Sequence, residues 1–480
     1  MEKESLHIVV FPWLAFGHMI PFLELSKRLA SKGHRISYVS TPRNLQRLPK
    51  IPQNLTPFIS LIPLPLPSHD EIPPNAESTM DMSSDKVQFL KKAYDGLQQP
   101  LSQFLETTSP VVEWIIYDFS NHWLPPIAEK LGIRKAFFST FKASSFSFFG
   151  PALNMMDDGG TTWANPENLT KPREWIPFPN PIVYRLHEAK AILSAAQNNA
   201  SGVSDLLRIG HSINGCDLMA VRSCTEVEAE YLQLLEKLHG KPVVPVGLLP
   251  ISTQDEGGGE EDGTWQSIKD WLDKHRNGTV VYVALGSEVA PPQDQITELA
   301  LGLEMSQMPF LWAWRKPAGG SVELPDGFEE RTRDRGLVWT KWAPQPRILS
   351  DNSVGAFLTH SGWSSIIEGL QFGRPLIMVP FAVDQGLNAR VMAAKKVGFE
   401  IARNDEDGSF TRTSVAESLK MLLQDEITGT IYRREAKKMS GIIGNKNLQS
   451  HYVDEFEQHL LATGSHQMAS QEIMATKVLR

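Results

Sequence analysis

The feature that most constrains this chain is its opening alternation of apolar runs with helix-like segments. An apolar run at 8–13 (IVVFPW) leads into a loop at Gly17-His18, then into a segment carrying Leu23, Leu25 and Leu29. Pro21 stands in the expected first helical turn, Gly33 at its end, and a second apolar run follows at 36–39. Proline near a helix start and glycine past its end are ordinary helix punctuation. Strand, helix, strand is the unit of a parallel sheet, because two parallel strands need a long crossover between them.

The same alternation recurs. Further strands are expected at 58–61, 114–117, 135–139, 218–221 and 243–246, then at 280–287, 310–314, 337–339, 354–358 and 376–379. Between the two series lies QDEGGGEEDG at 254–263, too rich in glycine and acid to join a core. A chain of 480 residues also exceeds one ordinary core. The expected division is a first domain at 1–250, a linker at 251–264, a second domain at 265–445, a helix at 446–463 packing back on the first domain, and a tail at 464–480. Residues 151–200 read as irregular, and long loops of that kind often recognise ligands. Both halves read as doubly wound α/β sheets. Such sheets bind ligands outside the carboxyl ends of their strands, which makes the cleft between the halves the expected site.

Composition removes several classes of function. Net charge is −8 and no Lys/Arg-rich tract is present, which argues against a nucleic-acid partner. The two cysteines, Cys216 and Cys224, lack metal-ligand spacing and fit two inert thiols in a reducing compartment. No apolar stretch approaches the length of a membrane span and no cleavable leader is evident, so a cytoplasmic protein without integral membrane association is expected.

The densest chemistry runs from Trp342 to Gln385: WAPQPRILSDNSVGAFLTHSGWSSIIEGLQFGRPLIMVPFAVDQ. An expected strand at 354–358 ends in Thr359-His360-Ser361-Gly362-Trp363-Ser364-Ser365, and a helix follows. Small residues at that turn leave backbone N–H groups exposed at the positive end of a helix, a site for a phosphate pair without a metal. His360 adds a donor beside it. Glu368, one helical turn after Ser364, can accept from vicinal hydroxyls, and Trp342 offers a flat face for a base.

A second constellation is His18 with Asp118, each at the carboxyl end of an expected strand. A neutral imidazole can take a proton from a hydroxyl, while a carboxylate on its other nitrogen fixes the tautomer and stabilises the imidazolium. Taken alone, one histidine among 13 is more often a satisfied loop residue. A Ser/His/Asp hydrolase would need a Gly-x-Ser-x-Gly elbow, which is absent. A P-loop and a His-Glu-x-x-His metal motif are absent too, so no metal is expected.

The 342–385 segment resembles the donor-binding box of plant secondary-metabolite glycosyltransferases, the uridine-diphosphate-dependent family 1 enzymes. Gly17-His18-Met-Ile-Pro21, Asp118, Arg222-Ser-Cys224, Pro245-Val-Gly247, Trp271-Leu-Asp273 and Gly286-Ser287 extend the likeness over nearly the whole chain. The resemblance implies an α/β GT-B fold, two Rossmann-like domains facing across a cleft, with the acceptor in the first and the UDP-sugar in the second. It implies that Trp342 stacks on uracil and Ala343 binds it through the backbone, while Gln345 and Glu368 hold the ribose. Ser287, His360, Gly362, Ser364 and Ser365 would surround the diphosphate; Trp363, Asp384 and Gln385 would contact the sugar. The family usually carries Asn where Ser364 stands and often Cys where Ser361 stands. His18 is implied to be the base and Asp118 its partner. Phe16, Ser139 and Phe141 are candidates for the acceptor pocket, and Ser139 and Thr140, whose alignment to the family differs by one position, are candidates to reach the donor sugar.

The implied reaction moves a sugar, glucose in the first instance, from a UDP-sugar onto a hydroxyl of a small plant metabolite, with inversion. The UDP-sugar is then a co-substrate and no cofactor is needed. The texture of 114–119 and 381–388 is similar to the branch-forming subgroup, which adds sugar to sugar on flavonoid, triterpenoid or diterpenoid glycosides. A monomer is expected. A catalytically silent UDP-sugar-binding paralogue and a nucleotide-sugar epimerase remain as alternatives.

Overall fold

The computed structural model describes residues 5–157, 160–196, 199–251, 263–286, 291–315 and 322–478. Most of the expected linker, and Ser287, lie outside the described residues.

Two all-parallel sheets form the frame. The first holds β1 (His7–Phe11), β2 (Arg35–Ser40), β3 (Ile59–Pro63), β4 (Trp114–Tyr117), β5 (Arg134–Ser139), β6 (Leu218–Val221) and β7 (Val243–Pro245). Its spatial order is β3-β2-β1-β4-β5-β6-β7. The second holds β8 (Val280–Ala284), β9 (Phe310–Ala313), β10 (Gly336–Trp339), β11 (Val354–Thr359), β12 (Leu376–Met378) and β13 (Gly398–Glu400), in the order β10-β9-β8-β11-β12-β13. In each sheet the chain steps outward on one side and returns to build the other. The reversal falls between β1 and β4 in the first sheet and between β8 and β11 in the second, and those crevices are where such sheets bind ligands.

The central strands are apolar without interruption because both of their faces are covered. Along β1, Val9 and Phe11 enter one apolar cluster while Ile8 and Val10 enter another on the opposite face. Along β8, Tyr282 and Val283 divide between two clusters in the same way. The period-two alternation of a strand explains the split.

Four elements depart from the sequence reading. The first helix is Phe16–Ala30, so His18 lies in its first turn rather than in a loop, and Pro21 lies inside the helix. Pro21 stands past the first turn, so the helix forgoes the bond its N–H would have made to the Gly17 carbonyl. Residues 151–200 carry short helices at Ala152–Met156, Pro166–Leu169 and Leu186–Ala196. The three-residue β13 was not anticipated, since so short a run carries no periodicity. The last helix is Lys446–Val478 and continues past residue 463 through a stretch with two each of Ala, Gln and Met, all good helix formers.

That helix returns to the first sheet. Val453, Phe456 and Leu460 join the cluster beneath it. Lys32 pairs with Asp454 and, at 3.1 Å, with Glu457. The indole N–H of Trp114 donates to the Leu460 carbonyl at 3.1 Å. Burying each of these apolar side chains stabilises the docked helix by about 1.5–3 kcal/mol.

Candidate active site

Helix Phe16–Ala30 follows β1 directly, and its first turn points His18 into the crevice between β1 and β4. Asp118 follows β4 and is 2% exposed. His18 Nδ1 donates to Asp118 Oδ2 at 2.8 Å. The same oxygen accepts the Trp13 N–H at 3.0 Å, and Oδ1 accepts the Phe119 N–H at 2.7 Å. A carboxylate ringed by donors holds Nδ1 protonated and leaves the imidazole lone pair on Nε2. Phe119 and Phe141 flank the ring with centroids 5.6 and 5.5 Å away, and Thr140 Oγ1 lies 3.1 Å from Nδ1.

Ser139 does not join this group. It is buried at the end of β5 and its hydroxyl donates to the Phe141 carbonyl at 2.8 Å. The neighbour Thr140, in the bend just past β5, brings its hydroxyl to His18 instead. Phe16 is half-buried, with the Arg47 guanidinium 4.8 Å over its ring.

Across the cleft, His360 follows the end of β11, and helix Trp363–Gln371 begins after Gly362 with no side-chain cap and no acid in its first turn. Its first intrahelical bond runs from Ile366 N–H to Gly362, so the N–H groups of Trp363, Ser364 and Ser365 lack helical acceptors. His360 is held between two glycines. A Cβ on Gly286 would stand 2.7 Å from its Cε1 and Nε2, and one on Gly362 would stand 2.5 Å from Nε2. Gly286 also has φ +80°, a conformation that favours glycine. Burial pushes His360 down to about 4, so the ring is neutral near pH 7. Its Nδ1 is buried without a hydrogen-bond partner among the described residues.

The remainder of the box splits into two ends. At one, Trp342 is 57% exposed and Ala343 half-buried, while Gln345 Nε2 donates to Glu368 Oε2 at 2.6 Å. Burial raises Glu368, opposed by that bond and by the charge of Arg222. At the other, Gln385 Oε1 accepts the N–H groups of Phe381 and Ala382 at 2.9 and 3.0 Å, which leaves its NH2 as the outward donor. Asp384 is buried and pushed up to about 6 by that burial, opposed by a 2.9 Å bond from Asn388 Nδ2 and by the charges of Lys142 and His18.

Two participants, Lys142 and the side chain of Arg222, were not anticipated. Lys142 is fully buried, donates to Ser144 Oγ at 2.7 Å, and is pushed down to about 8 by burial against the pull of Glu228 and Asp384. Arg222 was noted as a landmark without a role, yet its Nη1 donates to Ser364 Oγ at 2.7 Å. Its carbonyl accepts the Trp363 indole N–H at 2.9 Å, so that indole donor is already engaged. Such contacts join residues 141 and 142 positions apart, and no local pattern signals them. Thr140 was visible only as one of two adjacent hydroxyls. Among the described residues no group of three His, Cys, Asp or Glu side chains is placed to hold a metal, and no helix is long and apolar enough to cross a membrane. Both cysteines are free and buried.

Comparison with known proteins agrees with this geometry. The family model described as UDP-glucoronosyl and UDP-glucosyl transferase matches residues 219–449. UDP-glycosyltransferase 91B1 of Arabidopsis thaliana is 47% identical over 95% of this chain and 98% of its own. Soyasaponin III rhamnosyltransferase of Glycine max is 40% identical over 95% of each chain. Anthocyanidin-3-O-glucoside rhamnosyltransferase of Petunia hybrida is 32% identical over 96% and 97%. In fold, the crystal structure of Glycyrrhiza uralensis UGT73P12 superposes with a TM-score of 0.81 at 20% identity, covering 99% of both chains. Two facing Rossmann-like sheets, with this likeness over almost the full length, make the chain a GT-B member of the plant UDP-glycosyltransferase family.

Proposed function

We propose that the chain is an inverting, metal-independent transferase in which His18 is the base and the helix end at Gly362–Ser365 receives the diphosphate of a UDP-sugar. The observation that carries this reading is the His18–Asp118 pair at 2.8 Å, set at the first sheet's crevice and facing an uncapped helix N-terminus of the second. His18 Nε2 takes the acceptor's hydroxyl proton as the oxygen attacks the anomeric carbon. The bond from that carbon to the diphosphate oxygen breaks on the opposite face, and UDP departs with the electron pair. Asp118 stabilises the imidazolium; the helix N–H groups and neutral His360 meet the charge on the leaving group. Trp342 would stack on uracil with Ala343 beside it, and Gln345 with Glu368 would hold the ribose. Asp384 and Gln385 present one acceptor and one donor to the sugar hydroxyls. Ser365 and Ser287 would complete the diphosphate shell, and Phe16, Phe141 and Thr140 would border the acceptor.

The acceptor is a small plant metabolite that already bears a sugar, acted on by a monomer in the cytoplasm. The names of the soybean and petunia relatives, a rhamnosyltransferase and a glucoside rhamnosyltransferase, support the branch-forming role and make rhamnose a donor sugar to test beside glucose. Mass spectrometry of the protein with UDP-glucose or UDP-rhamnose, against aglycones paired with their monoglucosides, tests this. One added sugar on the glucosides supports the reading. Addition to aglycones alone removes the branch-forming role, and conversion of donor without acceptor removes the transferase reading in favour of an epimerase.

A further inference from the structure

Arg222 follows β6 in the first half of the molecule, yet one arm of its guanidinium reaches the second. The guanidinium is 1% exposed. Nε donates to the Leu248 carbonyl at 2.9 Å, Nη2 to the Leu249 carbonyl at 3.4 Å, and Nη1 to Ser364 Oγ at 2.7 Å. Leu249 has φ +48°, a left-handed conformation disfavoured for a non-glycine residue, so the loop that supplies those carbonyls is held in a strained bend. The carbonyl of Arg222 meanwhile takes the Trp363 indole N–H. One residue of the first half therefore holds the first two residues of helix Trp363–Gln371.

The direction of the bond to Ser364 matters. A guanidinium can only donate, so Ser364 Oγ must accept there and its single proton must point elsewhere. Ser364 is half-buried, and its own backbone N–H is one of the three that lack helical acceptors. A hydroxyl already accepting from a buried cation is polarised and becomes a stronger donor in its turn.

We propose that Arg222 is a positioning residue for the leaving diphosphate, fixing the Ser364 hydroxyl as a donor toward it and registering that helix end against the first half. The inference rests on the assignment of this helix end to the diphosphate.

The test measures binding of UDP and of uridine to full-length wild type, Ser364→Ala, Arg222→Met and Arg222→Lys by calorimetry, with thermal unfolding alongside. A hydrogen bond to a charged group is worth about 1.5–3 kcal/mol, so Ser364→Ala weakens UDP by at least about tenfold and leaves uridine unchanged. Arg222→Met gives a similar selective loss, and Ser364→Ala adds little on top of it, because both remove one donor. Arg222→Lys recovers part of the preference. If Arg222→Met does not fold, Arg222→Lys and Ser364→Ala carry the comparison. A wild type that binds UDP no better than uridine overturns the diphosphate assignment itself. A normal wild-type preference that survives undiminished in Ser364→Ala, equal losses for UDP and uridine in the Arg222 variants, or additive losses in the double variant overturn the role given to Arg222.

Discussion

Asp118→Asn gives the most demanding prediction, because three N–H groups converge on that carboxylate. Oδ2 accepts from His18 Nδ1 at 2.8 Å and from Trp13 at 3.0 Å, and Oδ1 accepts from Phe119 at 2.7 Å. An asparagine offers one oxygen and one NH2. If the NH2 replaces Oδ2 it faces the N–H groups of Trp13 and His18; if it replaces Oδ1 it faces that of Phe119. Either orientation leaves a buried donor against a donor, which costs about 1–3 kcal/mol. The negative charge that would stabilise the imidazolium is lost as well, and the contribution of a positioned general base is about 10²–10⁴-fold. Asp118→Asn should therefore lower kcat by about 10²–10⁴-fold and stability by about 1–3 kcal/mol, with UDP affinity unchanged. Initial rates by chromatography, urea unfolding and calorimetry read the three quantities. A kcat within about tenfold of wild type would refute the reasoning about the pair.

Further outcomes follow from the same geometry. Gly286→Ala places a methyl 2.7 Å from the His360 ring at a position with φ +80°, so it should cost about 1–2 kcal/mol of stability from backbone strain alone and weaken UDP binding; an unchanged UDP affinity counts against a role for His360 at the diphosphate. Asp384, raised to about 6 by burial, is ionised above that pH and protonated below it. The KM for UDP-sugar should rise as pH falls through about 6, and Asp384→Asn should flatten that limb; a limb that persists in the variant belongs to another group. Burial pushes the Cys216 thiol up to about 12 and raises Cys224 further, so iodoacetamide should label neither in the native protein and both in urea; native labelling contradicts the burial.

Much of the frame is legible along the chain because buried parallel strands are continuous apolar runs. Trp114–Tyr117 and Leu218–Val221 can be read to the residue for that reason. What is short or non-local is not legible. Gly398–Glu400 has three residues and one large apolar side chain, so it carries no period. The start of the first helix is obscured because Pro21 reads as a first-turn residue while Phe16, Gly17 and His18 read as a loop. At the site, the order of residues along β11 and into its helix shows the uncapped turn that is proposed to receive the diphosphate, and resemblance supplies His18 and Asp118. The choice of Thr140 over Ser139 depends on which face of the turn meets the cleft. The clasp of Arg222 on Trp363 and Ser364 arises only when the two halves meet.

The central claim is that His18 removes the acceptor proton. The direct measurement is His18→Ala assayed for transfer and, separately, for UDP binding. The account predicts that UDP binds as in wild type while transfer falls by about 10²–10⁴-fold and loses its dependence on Asp118. Transfer at an undiminished rate, with the protein folded and UDP bound, would contradict it.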